Sequence, residues 1–475
     1  MSSTSAGGGQ LPAGAGRPPT PGAGRPPILN THVHLPPNFS AFDTAEDAVD
    51  AAAAEGVRVM GASNFHDRRI YARFAAAAAT AGIVPLFGLE IISVVGDLRD
   101  AGTKVNDPAN PGRMYVCGKG IDPFAEPTPA ATRLIARARG ADVDRMRAMV
   151  PLVATRFAEA GIETAVTAEA IVDDVAARAG VPGDWVVLQE RHVATAFQEA
   201  LFRAAPPGHR GNLLARVLGG PGGGDADDPV AVQGEIRARL MKAGRPAFVP
   251  ESPVSFDDAY RLVLEMGGIP CYPTLADGVS PVCGWEAPPA ALAERVLARG
   301  MHAAELVPNR NATEVVDAYV AALRGAGVVV MAGTEHNTRE RIPLEPRCVD
   351  GSRPSPAARA AFREATCVVA AHQHLRATGH RGYVDGEGRL DPGFPDGESR
   401  IRWYAELGEE LIRVGAPLVA GFGPARGPAP EAASQRLAPN GAAWGSVAAC
   451  PEPLSPPAAG ESAPVVTAAP PEVDR

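Results

Sequence analysis

Residues 28–34 read Ile28-Leu29-Asn30-Thr31-His32-Val33-His34. A short apolar run that ends in alternation has the pattern of a strand, and on a strand residues two apart point to the same side. His32 and His34 therefore offer both imidazoles to one place at the strand's C-terminal end. Neutral imidazole suits Zn, Mn or Fe, so the pair is a candidate site for a divalent metal. Barrel enzymes build their sites at this end of their strands.

Outward from this strand the chain alternates. A helix is expected over 45–55, with Thr44 as cap, Asp47 at the capping-box position and Gly56 as the stop. Strand-like runs follow at 57–62, 83–92, 114–117, 269–272, 302–307 and 328–332. Helical segments at 69–81, 256–266 (capped by Ser255), 290–298 and 312–323 lie between them. With 28–33 this makes about seven strands, and such alternation indicates a parallel sheet or barrel with helices outside. The expected fold is α/β: a distorted (β/α)7 TIM-like barrel with a helical insertion and disordered tails.

Residues 28–121 and 252–345 form the expected barrel. Residues 122–251 break the rhythm with helical segments at 133–139, 151–160, 168–179 and 189–203. They are expected to form a mostly helical insertion that caps the barrel mouth, because the segment leaves from the end of a strand whose neighbours carry the candidate ligands. The glycine-rich run 219–224 lacks the Lys-Ser/Thr of a phosphate-binding loop and is given no nucleotide role. Residues 346–420 add C-terminal helices at 356–378 and 401–414. The tails 1–27 and 421–475 are biased to Gly, Pro and Ala and cannot build a core.

Composition narrows the function classes. The chain has 475 residues, 45% of them hydrophobic, a size that one barrel with insertions reaches. Its formal net charge is -9, with no Lys/Arg cluster, which argues against nucleic acid as the partner. A small phosphorylated substrate stays open, since a metal can supply local positive charge. The six cysteines form no C-x-x-C pair and are expected as free thiols. No secretory signal and no apolar stretch of membrane length is present, so a cytoplasmic protein is expected.

Other candidates follow strand ends. Glu90, in Phe87-Gly88-Leu89-Glu90, can bridge metals, orient a water or take a proton. His66 follows the second run. Glu335, His336 and Asn337 follow the last run and make an oxygen/nitrogen ligand set, and Glu335, like Glu90, is a candidate to bridge metals or take the proton. Arg310 can meet a substrate phosphate through a bidentate fork. His192 is a candidate contact from the insertion.

These residues resemble the PHP superfamily, named for polymerase and histidinol phosphatase domains. The likeness covers residues 28–117 and 269–337. His32 and His34 match the family's opening H-x-H and Glu90 its strand-three glutamate. Segments 114–118, 271–273 and 333–337 are similar to its apolar-His-apolar-Leu-Gly, His-Pro and closing Gly-Ser-Asp-x-His segments. The resemblance implies a distorted seven-stranded barrel whose ligands hold two or three metals and hydrolyse phosphoesters. The ligand set here is degenerate. Tyr115 and Tyr272 stand where two family histidines would be and become candidate substrate contacts. Asn64 and Phe65 replace Asp-His, so His66 comes one place late. Glu335 replaces the closing aspartate and Asn337 the closing histidine. One metal is better supported than three.

The expectation is a metal-dependent hydrolase of a small phosphoester. An amidohydrolase-type barrel is the rival. It would need a bridging lysine or glutamate on a middle strand and a closing aspartate, and no middle-strand lysine is evident. A degenerate barrel that binds a ligand without turnover is the third reading.

Overall fold

Strand β1 (Ile28–Val33) begins a sheet that winds around a common axis in the computed structural model, which describes residues 27–415. Helix α1 (Ala45–Glu55) follows. Thr44 accepts a hydrogen bond from Asp47 N at 3.0 Å, and Gly56 stops the helix at φ 80°. Its buried positions Ala45, Ala48, Val49 and Ala52 repeat at the helical period, so one stripe faces the barrel. Strand β2 (Val57–Phe65), helix α2 (Tyr71–Ala81), strand β3 (Val84–Val94) and the short helix α3 (Gly96–Asp100) come next.

Strand β4 (Arg113–Lys119) departs from the all-parallel expectation. It runs antiparallel to β3, pairing Glu90 with Cys117 and Val94 with Arg113. It therefore starts near the mouth and ends at the opposite end of the barrel, where Asp122 N donates to Met266 O at 2.9 Å. The chain returns by helix α4 (Pro129–Glu159), whose 31 residues span about 46 Å. Two helices were expected here, 133–139 and 151–160, but one continuous helix forms. Its buried face, Met146, Met149, Val150, Val153 and Phe157, continues across the proline, and this packing outweighs a proline cost of about 3 kcal/mol. Segment 122–251 thus reaches the mouth, but along the side of the barrel and not directly from a strand end, as the reading of the sequence had it.

Helices α5 (Ala168–Ala179), α6 (Glu190–Ala204), α7 (Arg210–Leu218) and α8 (Pro229–Ile236) complete this segment, and α8 runs on into a π-helical turn, Arg237–Met241. They share a core of their own around Phe157, Phe197, Leu201, Val217 and Ile236. The two-residue strand β5 (Val254–Ser255) then pairs with β3, and α9 (Phe256–Glu265) starts on the Ser255 cap.

Strand β6 (Ile269–Thr274), helix α10 (Pro289–Ala298), strand β7 (Ala303–Leu306), helix α11 (Thr313–Gly325) and strand β8 (Val329–Ala332) finish the barrel. The strand order is β1-β2-β3-β4-β6-β7-β8. Backbone bonds nearly close the ring: Thr334 N and Glu335 N donate to His32 O, and His34 N donates to Glu335 O. This is the expected seven-stranded α/β barrel with helices outside.

Helix α12 (Pro356–Ala377) packs with α13 (Gly397–Val414) in a second core that includes Val59, Leu86, Cys271 and Met331 of the strands. Gln373 accepts from Phe87 N, and His372 Nε2 donates to Gly267 O at 2.7 Å. Those bonds anchor α12 at strand ends remote from the mouth. Cys117, Cys271, Cys283, Cys348 and Cys367 are free thiols. The tail expectations for 1–26 and 421–475, and Cys450, lie outside the described residues. No helix among the described residues is long and apolar enough to cross a membrane.

Candidate metal centre and its cavity

The end of β1 brings His32 and His34 into the barrel interior, and β3 brings Glu90, level with the end of β2, against them. Glu90 Oε2 lies 3.2 Å from His34 Nε2 and 3.6 Å from His32 Nε2, and the two Nε2 atoms are 3.3 Å apart. All three residues are buried. Bonds of about 2.1 Å to a tetrahedral ion set its ligand atoms about 3.4 Å apart, which these separations match. Glu90 Oε2 is buried and makes no hydrogen bond, so it is an acceptor waiting for a positive partner. Two imidazole nitrogens and one carboxylate oxygen are the donor chemistry of Zn, Mn or Fe. The three residues fit one divalent ion.

The far side of His32 explains why its Nε2 is presented. Nδ1 donates to Glu305 Oε2 at 2.7 Å, which leaves the Nε2 lone pair for the triad. Glu305, on β7, also accepts from Thr31 Oγ1 at 2.7 Å and from Lys119 Nζ at 2.9 Å. Lys119 Nζ donates further to Ser63 Oγ and Thr31 O. Burial works against Glu305 ionising, but Lys119 and His32 outweigh it and hold the carboxyl down at about 2. Burial and Lys119 favour neutral His32, but Glu305 and Glu90 outweigh them and raise it to about 9. His34 is lowered, because burial outweighs its contact with Glu90. The triad therefore demands positive charge, from a proton or from a cation. Close approach adds a constraint: a Cβ on Gly333 would sit 2.3 Å from His32 Cβ.

Glu305 and Lys119 were missed in the sequence. The signal was present, as one charged residue inside an otherwise buried strand run, Ala303-Ala304-Glu305-Leu306 and Val116-Cys117-Gly118-Lys119. A middle-strand lysine thus exists, contrary to expectation, because antiparallel β4 brings it inward. It sits 3.5 Å from His32 Nδ1, on the side of the ring away from the triad. It cannot bridge ions there.

The remaining candidates divide. Glu335, at φ 61°, faces the cavity and is gripped by Arg310 through a fork of 3.1 and 2.6 Å, with Asn337 donating to the same carboxylate. Burial and Glu90 oppose its ionisation, but Arg310, His32 and His34 together outweigh them and lower its pKa. His336 turns away: Nδ1 meets Thr334 Oγ1, Nε2 donates to Ile342 O, and the ring stacks on Phe42. His66, at φ 51°, meets Asp142 of α4 at 3.2 Å, while Phe65 stacks on His34. Tyr115 lines the cavity. Tyr272 does not, since its hydroxyl donates to buried Glu286 at 2.8 Å. His192 is packed against Phe39 inside the N-terminal turn of α6, where Gln189 N donates to its Nδ1. Its neighbour Arg191 reaches the cavity instead.

That cavity, of 410 Å³, lies over Glu90 and is walled by the loops after β3, β6 and β7 and by α4, α6 and the turn after α8. Glu190 joins Arg145 (2.8 Å), Arg237 (3.4 Å) and Lys242 (2.5 Å) in its wall. Burial works against ionised Glu190, but Lys242 and the two arginines bring it down to about 2. Arg113 pairs with Asp107 and with Glu251.

No protein-family model matches the chain, and no curated protein matches it in sequence. Among solved structures it is similar to a Bifidobacterium adolescentis protein provisionally assigned as a metal-dependent phosphoesterase. That likeness has a TM-score of 0.47 at 16% identity and covers 70% of this chain and 95% of that one. It is also similar to an amidohydrolase from Chromobacterium violaceum bound to sulfate without metal, with a TM-score of 0.45 at 16% identity, covering 70% of this chain and 96% of that one. At these values neither likeness carries a functional argument.

Proposed function

We propose that this chain is a hydrolase of a small phosphoester that works with one divalent metal held by His32, His34 and Glu90. The convergence of three buried donor atoms, 3.2 to 3.6 Å apart, beneath a cavity lined by charged residues carries this reading. When bound, the ion supplies Lewis acidity toward a phosphoryl oxygen and toward water.

The chain's own residues do the rest. Glu305 and Lys119 hold His32 in one ring orientation and one tautomer. Glu90 belongs to both the triad and the cavity wall, so it is the residue placed to handle a proton. Water oxygen adds to phosphorus and the ester P–O bond breaks. The proton released by water passes through Glu90 to the leaving oxygen. Arg310 keeps Glu335 ionised and the mouth ordered. The segment over the mouth limits water and positions a small substrate.

Purified protein is expected to carry about one transition-metal equivalent, by mass spectrometry, and to hydrolyse a phosphomonoester after chelation only when Mn or Zn is returned. The folded double variant His32→Ala, His34→Ala loses the metal. Glu90→Gln loses turnover more completely than metal. Unchanged metal content in the double variant removes this reading. Cleavage of an amide or lactone, with no phosphoester cleaved, replaces it with the amidohydrolase.

A further inference from the structure

Six cations line the cavity: Arg113, Arg145, Arg191, Arg237, Lys242 and Arg310. Six carboxylates face them, and Glu90 belongs to the triad, so six cations meet the five others: Asp107, Asp142, Glu190, Glu251 and Glu335. One of the six cations has no carboxylate partner. Arg113, Arg145, Arg237, Lys242 and Arg310 each have a carboxylate partner. Arg191 has neither a hydrogen bond nor an ion pair among the described residues. It is nevertheless held over the cavity by the first turn of α6, and it is only partly exposed.

Arg191 lines the cavity part-exposed and with no side-chain partner to displace, so its guanidinium is free to meet an anionic group there. Burial, with Arg237 and Arg310 close by, lowers the Arg191 pKa to about 9, against the opposing pull of Glu335 and Tyr115. The same neighbours that crowd it also describe its place, between the Arg310–Glu335 pair and the Glu190 cluster. The planar fork of arginine matches two oxygens of a phosphoryl or carboxylate group.

We infer that Arg191 receives an anionic group of the substrate, and that the substrate is a dianion, a phosphomonoester in preference to a phosphodiester. The inference rests on the metal reading for its second charge. One positive charge is unmatched in the wall, and a divalent ion on Glu90 leaves one more, so a dianion neutralises the site. Arg310, the fork named from the sequence, is already committed to Glu335.

The test uses the full chain and inorganic phosphate as probe. Titration calorimetry on metal-stripped protein is expected to show phosphate binding that weakens about ten- to a hundredfold in Arg191→Gln, the loss of one charge-assisted fork. Arg191→Lys recovers part of it. Arg203→Gln, exposed at the far end of the same helix, changes nothing. Metal content stays at the wild-type level in all three variants. In metal-loaded protein, Arg191→Gln also narrows the preference for phenyl phosphate over its methyl diester. Phosphate affinity equal in wild type and folded Arg191→Gln overturns the inference, as does wild-type protein that binds no phosphate. Phosphate binding that depends on Arg191, in a protein without metal or turnover, sinks the hydrolase and leaves the anion receptor standing. An active, metal-loaded enzyme indifferent to Arg191 does the reverse.

Discussion

Beneath the cavity, in its floor, Lys119, Glu305, His32, His34 and Glu90 are all buried, and their charges meet one another inside the barrel. On the cavity wall, Glu190 alone is shared by Arg145, Arg237 and Lys242, while Glu251 serves both Arg113 and Arg145. The floor comes from strand ends, where backbone pairing dictates where each side chain goes. The wall comes from helix starts and loops, where long side chains reach a common space. Few charges, buried on strand-borne side chains, hold an ion in one geometry. Many charges with overlapping partners accept a ligand and rearrange around it. Breaking a floor contact is therefore expected to be much more damaging than breaking a wall contact.

The sharpest break is Glu305→Ala. It strands the Lys119 ammonium in the barrel, and such a loss costs about 3–5 kcal/mol. Denaturant unfolding measures it, and Glu305→Gln combined with Lys119→Met is expected to regain most of the stability. A Glu305→Ala variant as stable as wild type would erase the contrast between floor and wall. Gly333→Ala comes second. The added methyl pushes His32 off its position, and metal affinity is expected to fall about 10–100-fold while the barrel stays folded. A metal titration reads this directly.

Next comes the pH dependence of the wall. The folded-state pKa of Glu190 is depressed to about 2 from its ordinary 4.5. A depressed carboxyl stabilises the fold above its unfolded pKa, and that contribution is lost as pH falls through the folded value. The stability difference between wild type and Glu190→Gln is therefore expected to be about 2 kcal/mol, level above about pH 5 and shrinking as pH falls toward 2. A difference that grows on acidification would contradict the assigned network. The smallest effect is expected for Arg237→Gln, below about 1 kcal/mol, because Glu190 keeps Arg145 and Lys242. A cost near that of Glu305→Ala would show that the wall is as finely matched as the floor.

Period-2 alternation was enough to place His32 and His34 on one side of β1, because a strand leaves them no other choice. The strand and helix alternation, the Thr44 and Ser255 caps and the glycine stops rest on local backbone chemistry, and the seven-stranded barrel was legible from them. The direction of β4 was not legible. A strand reads the same in either direction, and only the positions of its neighbours decide. That reversal delivers Lys119 to Glu305 and sends the chain to the far end of the barrel before α4 returns it. The histidines were harder still. His66, His336 and His192 all follow or begin elements in ways that suit a ligand, yet backbone turns at φ 51° and 52° and a helix-start bond aim them elsewhere. A histidine's type says what it can bind. Its local torsions and the partner of its second nitrogen decide whether it does.

What the sequence by itself determined is therefore the strands of the barrel, most of the helices between them and the one pair of ligands that strand periodicity holds together. Tertiary structure alone decided the third donor's approach, the Glu305–Lys119 support behind His32 and the unmatched Arg191 over the cavity. Those contacts join residues as far apart in the chain as 32 and 305, and separations of that kind are set by how strands close a ring, which no local pattern records.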